Sequence, residues 1–121
     1  MHGHATGDAV LERVAGDLVA GVRSIDTVAR VGGEELALLL VDCPRGTAKR
    51  VAERLRRQVA REPLDAPAVT ISIGIADSSL TMGAEALLAH ADRALYAAKR
   101  AGRNRVCCAA VPPKRPLELA A

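Results

Sequence analysis

A chain of 121 residues with half of them hydrophobic suits one domain with a core, but Tyr96 is its single aromatic residue, so Val, Leu, Ile and Ala must do the packing. A net charge of +3 is too small and too scattered for a nucleic-acid surface, and no aromatic platform exists for stacking bases; it favours at most a small anionic ligand. Three cysteines, Cys43, Cys107 and Cys108, odd in number with two adjacent, exclude a disulfide framework and suit a reducing cytoplasm, and no apolar run approaches the roughly 20 residues of a membrane span.

The first predicted element is a helix from about Asp8 to Val22, capped by Thr6, with Val10, Leu11, Val14, Leu18 and Val22 at helical spacing. Ser24 to Thr27 breaks the pattern. Two strands follow, Val28–Val31 and Leu36–Val41, around a tip of Gly32, Gly33, Glu34 and Glu35. The second strand is apolar on both faces, which predicts cover on both sides. A helix from Thr47 to about Arg61 turns Ala48, Val51, Ala52, Leu55 and Val59 inward. Pro63 and Pro67 mark a loop, and Val69, Ile71, Ile73 and Ile75 alternate as a half-buried strand. The last helix, Gly83 to Arg100, faces Leu87, Leu88, Ala91, Leu95 and Ala98 inward and stops at Gly102. Arg105–Ala109 reads as a final strand, and residues 111–121 as a disordered tail. Helices interleaved with strands predict an α/β sandwich, with helices packed on a central, mainly antiparallel sheet.

The tip poses the chemical question. A plain hairpin turn is satisfied by Asn-Gly or Asp-Gly, whereas adjacent acids repel each other. Glycines let a ligand approach the main chain, and a neighbouring carboxylate suits Mg²⁺, which shares its shell with substrate phosphates. On the tetrapeptide alone, a solvated turn with surface acids is the favoured reading, because turn-plus-acid combinations are common.

The flanking stretches add weight. "GHATGDAVL" from Gly3, "RVGGEEL", "VTISIGIA" and "YAAKRAGRNRV" ending at Val106 occur in one order and at compatible spacings. Together they resemble the GGDEF family of diguanylate cyclases from about Gly3 to Val106, which implies a GGDEF domain over residues 1–110. The resemblance implies an enzyme condensing two GTP molecules into cyclic di-GMP, acting as a homodimer in which each protomer presents one GTP. It implies that Gly32, Gly33, Glu34 and Glu35 are the signature turn, with Glu34 on a divalent metal (Mg²⁺ or Mn²⁺) and Glu35 assisting at the metal or the attacking hydroxyl. Asp8 would accept from the guanine edge, and Lys99 and Arg103, one helical turn apart, would hold the phosphates. Phosphoryl transfer asks mainly for such positioning and charge neutralisation.

Arg23 and Asp26 form an R-x-x-D six residues before Gly32, where the resemblance places an inhibitory product site, with Arg54 as its further arginine. The alternative is an ordinary surface ion pair. Leu36 stands where the family's signature carries Phe. The family's first strand, with a DxDxFKxxND-like segment, has no counterpart among the 121 residues, so the expectation is the C-terminal part of a GGDEF domain, inactive as this chain alone. A second reading is a non-catalytic module that binds cyclic di-GMP or a partner protein.

Overall fold

The computed structural model describes residues 4–61, 69–78 and 83–110. The element order is as expected: α1 (His4–Ala20), β1 (Thr27–Arg30), β2 (Leu36–Leu39), α2 (Arg45–Ala60), β3 (Ile73–Ile75), α3 (Ala84–Arg100) and β4 (Val106–Cys108). The loop of Pro63 and Pro67 and the tail from residue 111 lie outside the described residues. Boundaries move where local chemistry decides them. Helix α1 begins at His4, so Thr6 is inside it rather than capping it. It ends before Gly21, whose N–H still bonds back to Asp17 and Leu18. Helix α2 starts two residues early because Pro44 at its N-cap fixes an extended entry.

The α/β class holds, but the expected single sheet is divided. Strands β1 and β2 pair antiparallel, with Thr27 opposite Leu39 and Arg30 opposite Leu36. Strands β3 and β4 pair parallel, with Ile73 opposite Val106 and Ile75 opposite Cys108. The difference lies in the connections. A short tip reverses the chain after β1, whereas the 17-residue α3 carries it back to the end where β3 began. Continuity would need a strand shared by both ribbons, and among the described residues no ladder joins them.

Val14 and Leu18 of α1 meet Leu55 and Val59 of α2 in one cluster, with Val28, Leu36 and Leu38 from the hairpin against it. Leu55 and Val59 have almost no exposed surface, and removing such side chains from water is the main stabilising term. The other half packs α3 on β3 and β4 and is built from small residues, with Ala94 and Ala98 buried. Gly74 makes this possible. A Cβ there would lie 2.1 Å from the Leu95 amide nitrogen and 2.3 Å from the Ala91 carbonyl oxygen. Strand and helix backbones thus touch, which is how a core without aromatic bulk closes its gaps.

Two inward expectations fail. Leu88 is 45% exposed, because Ala91, Ala94 and Ala98 draw α3 onto the sheet along a stripe that leaves Leu88 at its edge. Leu39 is 57% exposed, so the second face of β2 lacks the predicted cover at that end.

Candidate functional site

The hairpin tip is braced from beneath. The Val31 amide donates to the Glu35 carbonyl at 3.0 Å, closing the turn just beyond the Arg30–Leu36 pair. Arg30 Nε donates to the Gly32 carbonyl at 3.2 Å and its Nη2 to the Gly33 carbonyl at 2.8 Å. The guanidinium therefore lies along the glycine part of the turn. Sequence reasoning passed over Arg30, although its place immediately before "VGG" was the available signal. Glu34 is exposed and Glu35 half-buried. Neither glycine has positive φ, so a left-handed bend is not what requires them. A Cβ on Gly33 would meet nothing within 4 Å, leaving the main chain open to a ligand.

Two adjacent carboxylates are hard oxygen donors. Among the described residues no group of three or more Asp, Glu, His or Cys side chains gathers into a complete metal cage. The pair suits an ion such as Mg²⁺ that binds through one or two carboxylates and completes its shell with water and phosphate oxygens.

Lys99 sits half-buried on the last turn of α3. Arg103 is not one helical turn further on, as predicted, because the helix has ended. The Gly102 amide reaches back to Lys99 and the Arg103 amide to Ala98 at 3.0 Å, the paired bonds of a Schellman stop. Arg103 then adopts φ +64°, an uncommon conformation for a side chain of its kind. Helix α3 packs on β3 and β4, while the hairpin pairs within itself and packs on α1 and on the cluster shared with α2. Asp8 lies on α1, with its side chain outside the described residues.

The third group does converge. Arg23, Asp26 and Arg54 line one cleft of about 400 Å³ together with Gly21, Asp42 and Thr47. The Asp26 side chain is only 3% exposed, while that of Arg23 is 53% exposed. Asp26 Oδ2 accepts from the Arg23 amide at 3.0 Å and from Arg23 Nε at 3.1 Å. Its Oδ1 accepts from Arg23 Nη2 at 3.1 Å and from the Val41 amide at 3.0 Å. Arg54 reaches the cleft from α2 and donates to the Gly21 carbonyl. The R-x-x-D is therefore more than a surface pair, since it ties the end of α1 to the end of β2. Both carboxylate oxygens already hold two donors each, so a guanine edge binding Asp26 must take the place of Arg23 donors.

The Arg23 guanidinium, and after it the Val41 amide, hold the Asp26 carboxyl below the usual aspartate range. A depressed folded value means that the group stabilises the fold above its unfolded pKa and loses that contribution as pH falls through the folded one. The expected outcome is a stability gap between wild type and Asp26→Asn that is constant near neutrality and closes progressively below about pH 4. Urea midpoints at stepped pH check it, and a gap unchanged down to pH 2 would contradict it.

The family model described as "Diguanylate cyclase, GGDEF domain" matches residues 1–105. The chain belongs to the GGDEF domain family. Diguanylate cyclase A of Treponema denticola is 41% identical over 110 residues, covering 87% of the chain and 30% of that protein. The GGDEF domain thus spans about a third or less of the length of the curated relatives it matches. Among solved structures, the active GGEEF domain of a diguanylate cyclase from Vibrio cholerae superposes with a TM-score of 0.77 at 29% identity, covering 89% of this chain and 71% of that one. The GGDEF domain of DgcB from Caulobacter crescentus, in complex with c-di-GMP, gives 0.78 at 31% identity, covering 88% and 67%. The first of these carries Glu at the third signature position, as Glu34 does here. No helix among the described residues is long and apolar enough to cross a membrane.

Proposed function

We propose that this GGDEF domain serves cyclic di-GMP signalling, with a tip suited to condensing two GTP molecules and a separate cleft that binds the product. The observation that carries the reading is the convergence of Arg23, Asp26 and Arg54 on one cleft, apart from the Glu34–Glu35 tip. Arg23 and Arg54 offer forked, charge-assisted bonds to phosphate oxygens, and Asp26 offers oxygens to guanine N–H groups. At the tip, Glu34 and Glu35 would hold Mg²⁺ or Mn²⁺, which when bound neutralises triphosphate charge. Arg30 keeps that turn in shape. Lys99 and Arg103 hold phosphates, Asp8 reads guanine, and a homodimer brings two GTP molecules together.

A non-catalytic binding module is the second reading. It is favoured by the lack, among these 121 residues, of a DxDxFKxxND-like segment. Both readings require the cleft to bind cyclic di-GMP. Calorimetry on the 121-residue chain should detect that binding, and Arg23→Ala should weaken it by about ten- to a hundredfold, the scale of a hydrogen bond to a charged group. Glu34→Ala should leave it unchanged. Equal affinities for wild type and Arg23→Ala would reduce the R-x-x-D to a structural staple.

A further inference from the structure

A second carboxylate shares the cleft with Asp26. Asp42 lies past the end of β2, in the turn that leads to α2, and lines the cleft beside Arg23 and Arg54. Its backbone stands at φ +46°, in the left-handed region that Asp and Asn tolerate better than other side chains. The two carboxylates differ in what they have left to offer. Asp26 is almost wholly buried, and each of its oxygens already holds two donors. Asp42 is exposed, and among the described residues its carboxylate accepts no hydrogen bond. Its charge nonetheless reaches the arginine. Arg23 is held above its ordinary value first by the Asp26 bond, and Asp42 adds to this through space. Asp42 therefore stands on the Arg23 side of the cleft with its acceptor positions open.

A guanine base carries an N1–H and an N2–H₂ side by side on one edge. Those two donors match the two oxygens of an ionised carboxylate. Asp26 can take that edge only by releasing Arg23 donors, which loosens the tie between α1 and β2. Asp42 can take it with all of those bonds in place. Arg23 Nε and Nη2 bond Asp26 and Val41, and its Nη1 still points two donors at a phosphate.

We propose that Asp42 is a further specificity-determining residue of the cleft, recognising the guanine edge of cyclic di-GMP without opening the Arg23–Asp26 link. This rests on the reading of the cleft as the product site. It also names what the cleft rejects. Adenine presents an N1 acceptor where guanine presents a donor, so an adenine dinucleotide meets repulsion at Asp42.

Calorimetric titration of the 121-residue chain with cyclic di-GMP and with cyclic di-AMP is the test, read as the ratio of the two affinities. Wild type should favour guanine by about tenfold or more, the scale of a hydrogen bond to a charged group. Asp42→Asn and Asp42→Gly both suit positive φ, so the turn keeps its conformation. Each should weaken cyclic di-GMP by about tenfold or more. Asp42→Asn should also tighten cyclic di-AMP, because its amide offers one donor and one acceptor to the adenine edge. A surface acid with no part in reading the base would act differently. Removing its charge beside Arg23 would tighten both dinucleotides alike, since it only repels phosphate. That result, a ratio unchanged in the variants, or no guanine preference in wild type would overturn the proposal and leave the cleft reading intact. No binding of cyclic di-GMP by wild type would overturn both. If Asp42→Gly fails to fold, the isosteric Asp42→Asn decides alone.

Discussion

Expressed as residues 1–121 and supplied with GTP and Mg²⁺, the chain is expected to make no detectable cyclic di-GMP. The tip carries two carboxylates, and no third metal-capable side chain joins them among the described residues. The DxDxFKxxND-like segment to which the resemblance assigns metal and phosphate contacts has no counterpart among the 121 residues. Catalysis of this type consists almost wholly of positioning and charge stabilisation, so missing metal and phosphate contacts cannot be made good by a covalent nucleophile. Removing one well-aimed electrostatic stabiliser costs roughly 10²–10³ in rate, and here several are wanting together, so the combined loss should fall below detection. Chromatographic detection of the dinucleotide after prolonged incubation is the measurement. Turnover by the purified chain that disappears in Glu34→Gln would show that the tip and the 121 residues suffice, and the non-catalytic reading would then fall.

Periodicity made most of the architecture legible. Helix α3 was read to within one residue of its first turn and to its last residue, because Ala and Leu recur at helical spacing and Gly102 ends them. The cleft was legible too, since Arg23 and Asp26 are close in sequence and the offset of Arg54 was carried by resemblance. What stayed hidden depends on neighbours distant in the chain. The pairing of β3 with β4 is set by strands that the whole of α3 separates. The alternation of Val69 and Ile71 promised a longer strand, yet ladder bonds form only where β4 runs alongside, at residues 73–75. Val69 and Ile71 still pack on the core, so their hydrophobicity reported burial and not pairing. The two roles of arginine were equally opaque. Arg30 braces the tip and Arg56 the Arg103 turn, but the chain is rich in arginine, and only coordinates separate these two from solvated ones.

The largest stability effect should come from a single methyl group. Gly74→Ala adds a Cβ that would sit 2.1 Å from the Leu95 amide nitrogen, 2.3 Å from the Ala91 carbonyl oxygen and 2.7 Å from the Leu95 Cα. These are backbone atoms inside α3, and no rotamer change moves them. Either α3 withdraws from β3, opening the contact made by Ala94 and Ala98, or β3 shifts and strains its pairing with β4. Overpacking of a close core contact typically costs about 1–3 kcal/mol, and a clash with helix backbone belongs at or above the top of that range. Against a typical total of about 5–15 kcal/mol, that is enough to lower the melting temperature by about 10 °C or more. Gly16→Ala is the matched control. That glycine lies inside α1 with nothing within 4 Å of an added Cβ, so the same chemical change should stabilise by about 0.5–1 kcal/mol through helix propensity. Thermal and urea unfolding of the two variants beside wild type give the comparison. Opposite signs support backbone contact between β3 and α3 as what closes the α3 half of the core, and a Gly74→Ala protein as stable as wild type would refute it.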